Sequence, residues 1–227
     1  VSVAVLTGSS RGIGRATALA LAGRGLTIAM LGRTSDAQRE TERQLTKQGA
    51  RFAHFACELS SPGSIADAAS GVLRELGTPS VVVNNAGIIE RAKVSELSDE
   101  SWQRQLDVNL NAPFRITRAF LPAMLEKQQG RILFVSSISA TTGSATQSAY
   151  HASKWALSGF MKCLAEELSN TGLMTCALLP GAVATDMLSG SPWPARMTAE
   201  DVAKTLCFYA LDASVAHNGA LVEMFGT

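Results

Sequence analysis

Apolar positions in this chain fall into two alternating patterns. Short apolar runs at 3–6, 26–31, 51–56, 80–83, 131–136 and 174–179 read as strands, and a further short β-like run covers 220–224. The segments between them, at 15–22, 35–48, 62–76, 99–128, 150–170 and 199–211, repeat their apolar residues at helical spacing. Pro62 follows Ser60 and Ser61, which serve as caps ahead of a proline that a first helical turn tolerates. The long helix over 99–128 carries Pro113, so a bend is expected around residues 109–113. Strands and helices in alternation predict an α/β fold. It is one domain over residues 1–227, a doubly wound sheet of about seven parallel strands with helices on both faces.

Charge and composition narrow the function classes. The 227 residues hold 20 Lys plus Arg against 19 Asp plus Glu, a formal charge of +1, so no basic surplus points to nucleic acid or an anionic membrane. No apolar run reaches the roughly 18 to 20 residues that span a bilayer, and no signal-peptide pattern is present. Cys57, Cys163, Cys176 and Cys207 are scattered without metal-ligand spacing. Buried free thiols, a reducing cytoplasmic location and no metal site are the expectation.

Candidate chemistry begins where the first strand ends. Thr7-Gly8-Ser9-Ser10-Arg11-Gly12-Ile13-Gly14 leads from that strand into a helix. Glycines let the backbone turn tightly and approach a pyrophosphate, whose charge a helix N-terminus favours. In this strand–turn–helix setting the turn predicts a Rossmann-like dinucleotide site, although its spacing is GxxxGxG rather than GxGxxG. An acidic residue at the end of the second strand would bind a ribose 2′-hydroxyl and repel a 2′-phosphate. Here that position is Gly32, followed by Arg33, with Arg11 as a second cation on the same side. Two guanidinium groups suit a dianionic phosphate, so NADP(H) is expected over NAD(H). The plainer reading, two solvated surface arginines, stays open. Asp36, the nearest carboxylate, reads with Ser35 as a helix cap.

A second constellation lies at Tyr150 and Lys154, four residues apart and therefore on one helical face. A free phenol titrates near about 10, and bringing it down to about 7 takes on the order of 4 kcal/mol. A lysine cation within a few ångströms works in that direction, making Tyr150 a candidate general acid/base whose proton affinity Lys154 sets. His151, adjacent in sequence, points roughly 100° around the helix and is expected on the surface.

Gly8-Gly12-Gly14, Asn84-Asn85-Ala86-Gly87, Asn109, Ser137, Tyr150-x3-Lys154 and Pro180-Gly181 occur together in this order. On these motifs the chain resembles, over nearly its whole length, the short-chain dehydrogenase/reductase superfamily. Within it the chain looks most like the short-subunit branch that includes 3-oxoacyl-[acyl-carrier-protein] reductases. The resemblance implies a catalytic set of Asn109, Ser137, Tyr150 and Lys154. Ser136, next to Ser137, would point to the opposite side of an extended chain. Cofactor contacts are implied for Gly8, Ser10, Arg11, Gly12, Ile13 and Gly14 in the turn, and for Arg33. Asn85, Ala86 and Gly87 would border the adenosine ribose. Glu58 and Leu59 fall beside the adenine, where the family usually has Asp or Asn. Pro180 and Gly181 would shape the nicotinamide pocket, with Val183 and Thr185 at the carboxamide. Tyr150 and Lys154 complete the cofactor contacts, Lys154 through the nicotinamide ribose, and Asn109 would hold a water that relays protons to it.

The implied reaction is hydride transfer from NADPH to a ketone or a 3-oxoacyl thioester, with Ser137 and Tyr150 donating to the carbonyl oxygen. A catalytically silent dinucleotide-binding regulator of the same fold is the alternative, and a sugar-nucleotide epimerase fits less well because the chain is short. Residues 186–198 form a short cover over the substrate, in which Trp193 is a candidate apolar wall. Arg91, Lys93 and Arg196 are scattered cations near the same end. The ending GALVEMFGT departs from the VDGG-like ending of the 3-oxoacyl reductases, which leaves the substrate class open. Helices with more apolar residues than one core face needs predict a homodimer or homotetramer.

Overall fold

The computed structural model describes residues 2–226. Its strands are Val3–Thr7 (β1), Thr27–Gly32 (β2), Phe52–Ala56 (β3), Val81–Asn84 (β4), Gly130–Val135 (β5), Leu173–Pro180 (β6) and Ala220–Met224 (β7). All pair in parallel as one sheet in the order β3-β2-β1-β4-β5-β6-β7. Alternate residues of β1 serve two cores. Val3 and Val5 face Ile65, Phe120, Phe134 and Met161, whereas Ala4 and Leu6 face Leu21, Leu45, Val202 and Leu206. A strand covered on both faces has no solvent side, which is why these strands appear as unbroken apolar runs. Each large side chain so buried contributes roughly 1.5–3 kcal/mol.

The helices are Gly12–Gly23 (α1), Asp36–Lys47 (α2), Pro62–Glu75 (α3), Asp99–Leu106 (α4), Ala112–Lys127 (α5), Ser148–Glu167 (α6) and Ala199–Cys207 (α7). Ser35, Ser61 and Ser98 accept a backbone N–H from the first turns of α2, α3 and α4, and Thr198 forms a capping box with Asp201 on α7. Caps of this kind stabilise a helix by about 1 kcal/mol each.

The expected bend is present but has a different cause. Asp107–Asn111 forms a π-helical turn between α4 and α5, and Pro113 sits in the first turn of α5 beyond it. An inserted residue, not a proline, reshapes the helix there. A second π turn, Phe208–Asp212, ends the predicted 199–211 helix irregularly. Cys57, Cys176 and Cys207 are buried free thiols, but Cys163 is exposed on α6, contrary to expectation. Among the described residues no helix is long and apolar enough to cross a membrane.

Candidate active site

The sheet order reverses between β1 and β4, and at their carboxyl ends lies a cleft of about 1350 Å³. Small-ligand pockets run to roughly 300–1,000 Å³, so this one has room for a dinucleotide and a substrate together.

Its nucleotide end is a tightly tied glycine turn. Gly8 holds a left-handed φ of +67°, and a Cβ there would stand 2.8 Å from the Ala86 Cα. At Gly14 a Cβ would fall on the Gly8 carbonyl oxygen and 2.5 Å from Asn85 Nδ2. That approach is used: Asn85 Nδ2 donates to the carbonyl oxygens of Thr7 at 2.9 Å and Gly8 at 3.1 Å. Thr7 Oγ1 accepts from the backbone N–H groups of Asn85 and Ala86, both at 3.0 Å. On the other side Thr41 Oγ1 donates to the Ser9 carbonyl at 2.9 Å, and Arg15 donates to the Ser10 carbonyl at 2.5 Å. Arg11 caps α1 without a side-chain bond, and no acidic residue enters the first turn. The first amides of α1 are therefore available to an anion in the cleft, and the residues present fit a dinucleotide pyrophosphate.

The remaining cofactor candidates line the same cleft: Ser10, Ile13, Arg33, Glu58, Leu59, Gly87, Pro180, Gly181, Val183 and Thr185. Glu58 turns its carboxylate onto Ser60, accepting from its N–H at 3.2 Å and its hydroxyl at 3.0 Å. The two expected phosphate-binding arginines differ. Arg33 meets no carboxylate among the described residues, whereas Arg11 Nη1 is 3.2 Å from Asp186 on the cover, in a pair 70% and 74% exposed.

At the catalytic end, Ser137, Tyr150 and Lys154 come together, all buried. Ser137 Oγ accepts the Ser139 N–H at 3.1 Å, which leaves its own proton for Tyr150 or a ligand. Ser136 points away as expected, sharing a hydrogen bond with Ser158 at 3.2 Å. Lys154 Nζ donates to the Val135 carbonyl at 2.8 Å and lies 5.7 Å from the centre of the Tyr150 ring. Burial pushes the Lys154 ammonium down to about 8.

Two expectations need correction, for Tyr150 and His151. Burial raises the Tyr150 pKa rather than lowering it; the Ser137 hydrogen bond and the Arg91 charge oppose that rise. Asn109 is fully buried and tied to its neighbours. Its Nδ2 donates to the Ile88 carbonyl at 2.9 Å and Ser153 Oγ at 3.1 Å, while its Oδ1 accepts the Ile88 N–H at 2.8 Å. The side chain thus positions the segment after β4 against α6, beside Gly87 and Lys154. His151 is buried instead of surface-exposed, with Nδ1 2.8 Å from the Thr142 carbonyl.

Sequence reasoning missed Thr7 and Gln105. Gln105 is buried and exchanges hydrogen bonds with the Glu90 backbone, accepting at 3.1 Å and donating at 3.3 Å. Its place four residues before Asn109 was the available signal. Trp193 lines the cleft but is 67% exposed, a wall open to solvent.

Residues 2–193 match the family model for short chain dehydrogenases. The chain belongs to that family. It is 32% identical to the 3-oxoacyl-[acyl-carrier-protein] reductase FabG of Pseudomonas aeruginosa, over 99% of this chain and 96% of that one. It is 33% identical to the 2-dehydro-3-deoxy-D-gluconate 5-dehydrogenase of Bacillus subtilis, over 98% and 92%. Among solved structures, a candidate NAD(P)-dependent gluconate 5-dehydrogenase from Beutenbergia cavernae, with NADP bound at low occupancy, superposes with a TM-score of 0.91 at 31% identity, covering 99% and 95% of the two chains. A 3-oxoacyl (acyl-carrier-protein) reductase from Agrobacterium tumefaciens with NADP bound gives 0.91 at 25% identity, covering 99% and 93%.

Proposed function

We propose that this short-chain dehydrogenase is an NADP(H)-dependent carbonyl reductase in which Tyr150 is the general acid. The observation that carries the reading is the convergence of Ser137, Tyr150 and Lys154 at one end of a cleft whose other end is a glycine cradle. Arg33, free of any carboxylate among the described residues, supports the phosphorylated cofactor, as do the NADP-bound relatives. When bound, NADP(H) supplies the hydride.

The chain's own groups do the rest. Ser137 and Tyr150 donate to the substrate carbonyl oxygen and stabilise the charge that develops there more than the neutral ground state. Burial keeps the Tyr150 phenol protonated, so it has a proton to deliver. Lys154, still charged below about 8, holds the ribose hydroxyls at the nicotinamide end. A silent nucleotide-binding regulator has no use for two hydroxyls and an amine gathered at one end of the cleft, and no observation favours it.

The deciding experiment is Tyr150→Phe, followed by loss of NADPH absorbance with a ketone and by NADPH fluorescence titration. Turnover is expected to fall by about 10³-fold, within the range of general acid loss. Wild-type turnover in that variant would remove Tyr150 from the mechanism.

We also place the protein in the cytoplasm as a homodimer or homotetramer. Phe114 on α5 and Trp155 on α6 are exposed, and Arg118 stacks 4.9 Å from the Phe114 ring centre, an apolar surface suited to another copy. Light scattering that returned a monomer would overturn the assembly.

A further inference from the structure

The substrate end of the cleft carries a charge that nothing in the carbonyl-reductase reading uses. Four of the ionised groups lining the cleft cancel in two pairs. Arg11 meets Asp186, and Arg104 meets Glu90 with Nε and Nη2 at 2.7 and 2.6 Å from its two oxygens. Glu58 is turned onto Ser60 at the adenine end, and Arg33 belongs to the end that takes the 2′-phosphate.

Arg91 stands apart. Its Nη1 donates to the Ser189 carbonyl oxygen at 3.0 Å, its Nη2 to that of Met187 at 3.5 Å, and its Nε–H is shut off from water with no acceptor. Among the described residues no carboxylate pairs with it. Two neutral carbonyls fix the guanidinium in place but leave its charge uncompensated, a costly state for a partly withdrawn ion. The cover's one carboxylate, Asp186, is drawn off by Arg11. Arg91, Ser137 and Tyr150 line the same cleft, so cation and reactive phenol share one compartment.

Resting on the carbonyl-reductase reading, we infer that Arg91 anchors the substrate, and that the substrate is an oxo acid. Its carboxylate pairs with the Arg91 guanidinium while its ketone oxygen lies at Ser137 and Tyr150. Arg presents five donors in a planar fork that matches a carboxylate, and the cover's carbonyls use two of them. The carbonyl carbon gains the hydride that NADPH gives up, its oxygen takes the phenolic proton, and the carboxylate emerges unchanged in a hydroxy acid. An acyl thioester is neutral around its ketone, with its carrier's charge many bonds away, and offers Arg91 no partner there.

The test uses pairs of ketones that differ only in that charge: 3-oxobutanoate, 4-oxopentanoate and 5-oxohexanoate, each beside its methyl ester, with NADPH. For the best acid, wild-type kcat/KM is expected to exceed that of the ester by about 100-fold, the worth of one charge-assisted pair. The acid-to-ester ratio should fall to within about threefold in Arg91→Met and be partly kept in Arg91→Lys, as one ammonium replaces a fork. A ratio cancels any general loss from a loosened cover. Should Arg91→Met not fold, the wild type decides: rising salt must lower kcat/KM for the acid and spare the ester. Equal use of acid and ester by the wild type, or an unchanged ratio in Arg91→Met, overturns the assignment while leaving carbonyl reduction intact. No NADPH oxidation with any acid, ester or simple ketone overturns the reading on which it rests.

Discussion

The two ends of the cleft are built by opposite means. At the nucleotide end the glycine turn is tied on two sides: Thr7, Asn85 and Thr41 stitch it to the end of β4 and to α2 through backbone carbonyls and amides. At the substrate end three loops meet at single points. Ala92 N–H reaches the Thr146 carbonyl at 2.9 Å, Arg91 reaches the cover, and His151 pins Thr142 from below. Trp193 is left exposed on the rim. The reagent common to every turnover is thus held by the core, while recognition of the variable partner is left to segments that can change without disturbing it.

The largest expected effect tests that asymmetry directly. Gly14→Ala places a methyl on the Gly8 carbonyl and the Asn85 amide, two groups already committed to each other. Overpacking of this kind costs about 3 kcal/mol, and NADPH binding should be lost with it. Gly143→Ala, in a loop at the substrate end, meets no atom within 4 Å and requires no left-handed backbone. It should leave stability within about 0.5 kcal/mol or raise it slightly. Thermal melts and NADPH titrations of both variants check the contrast; similar losses would mean the substrate loops are as rigidly determined as the cradle.

A smaller effect separates function from stability at the boundary between the two ends. Lys154 titrates at about 8 when folded against 10.5 when free, because burial disfavours its charge. Below about pH 8 both states are protonated and the full cost, about 3 kcal/mol, weighs on the fold. Between about 8 and 10.5 the unfolded chain holds a proton that the folded one has released, so this contribution to stability rises with pH. Lys154→Met should therefore abolish turnover yet stabilise the nucleotide-free protein at pH 7 by about 1–3 kcal/mol. That advantage should shrink toward pH 10. The buried thiols act in the other direction, with Cys57 and Cys207 raised to about 11 and Cys176 to about 12 by burial, but they are common to both proteins. The difference between urea midpoints across pH isolates the lysine. A variant less stable than wild type at pH 7 would show that the Val135 carbonyl compensates the buried charge.

How far the sequence reached follows the same division. The strands, the glycine turn and the Ser137, Tyr150 and Lys154 positions were legible because each depends on local spacing: apolar runs, glycine intervals and a four-residue helical step. The π turn at Asp107–Asn111 was not, since Pro113 offered a simpler cause for the bend and an inserted residue leaves no compositional mark. The partners of Asn109 were not legible because Ile88 and Ser153 come from segments 21 and 44 residues away. Arg91 was one cation among several in the sequence; only the folded chain reveals that Arg104 and Arg11 have carboxylates and Arg91 does not.

The smallest effect concerns an ion pair that bridges the two ends. Arg11 Nη1 and Asp186 Oδ2 are 3.2 Å apart but largely exposed, and such pairs add little to stability. The carboxylate nevertheless stands beside a turn built for phosphates. Asp186→Asn removes that negative charge and frees Arg11, so NADPH should bind about two- to fivefold tighter at low salt. The gain should disappear near about 0.5 M salt, where the screening length is about 4 Å. The ketone KM should move by less than about threefold, because Arg91 still holds the cover through Ser189. A shift in KM of about tenfold or more, with NADPH affinity unchanged, would make the pair a mechanical strut of the cover. The two ends would then be coupled, and the division between a core-held cofactor site and a loop-held substrate site would fail at that point.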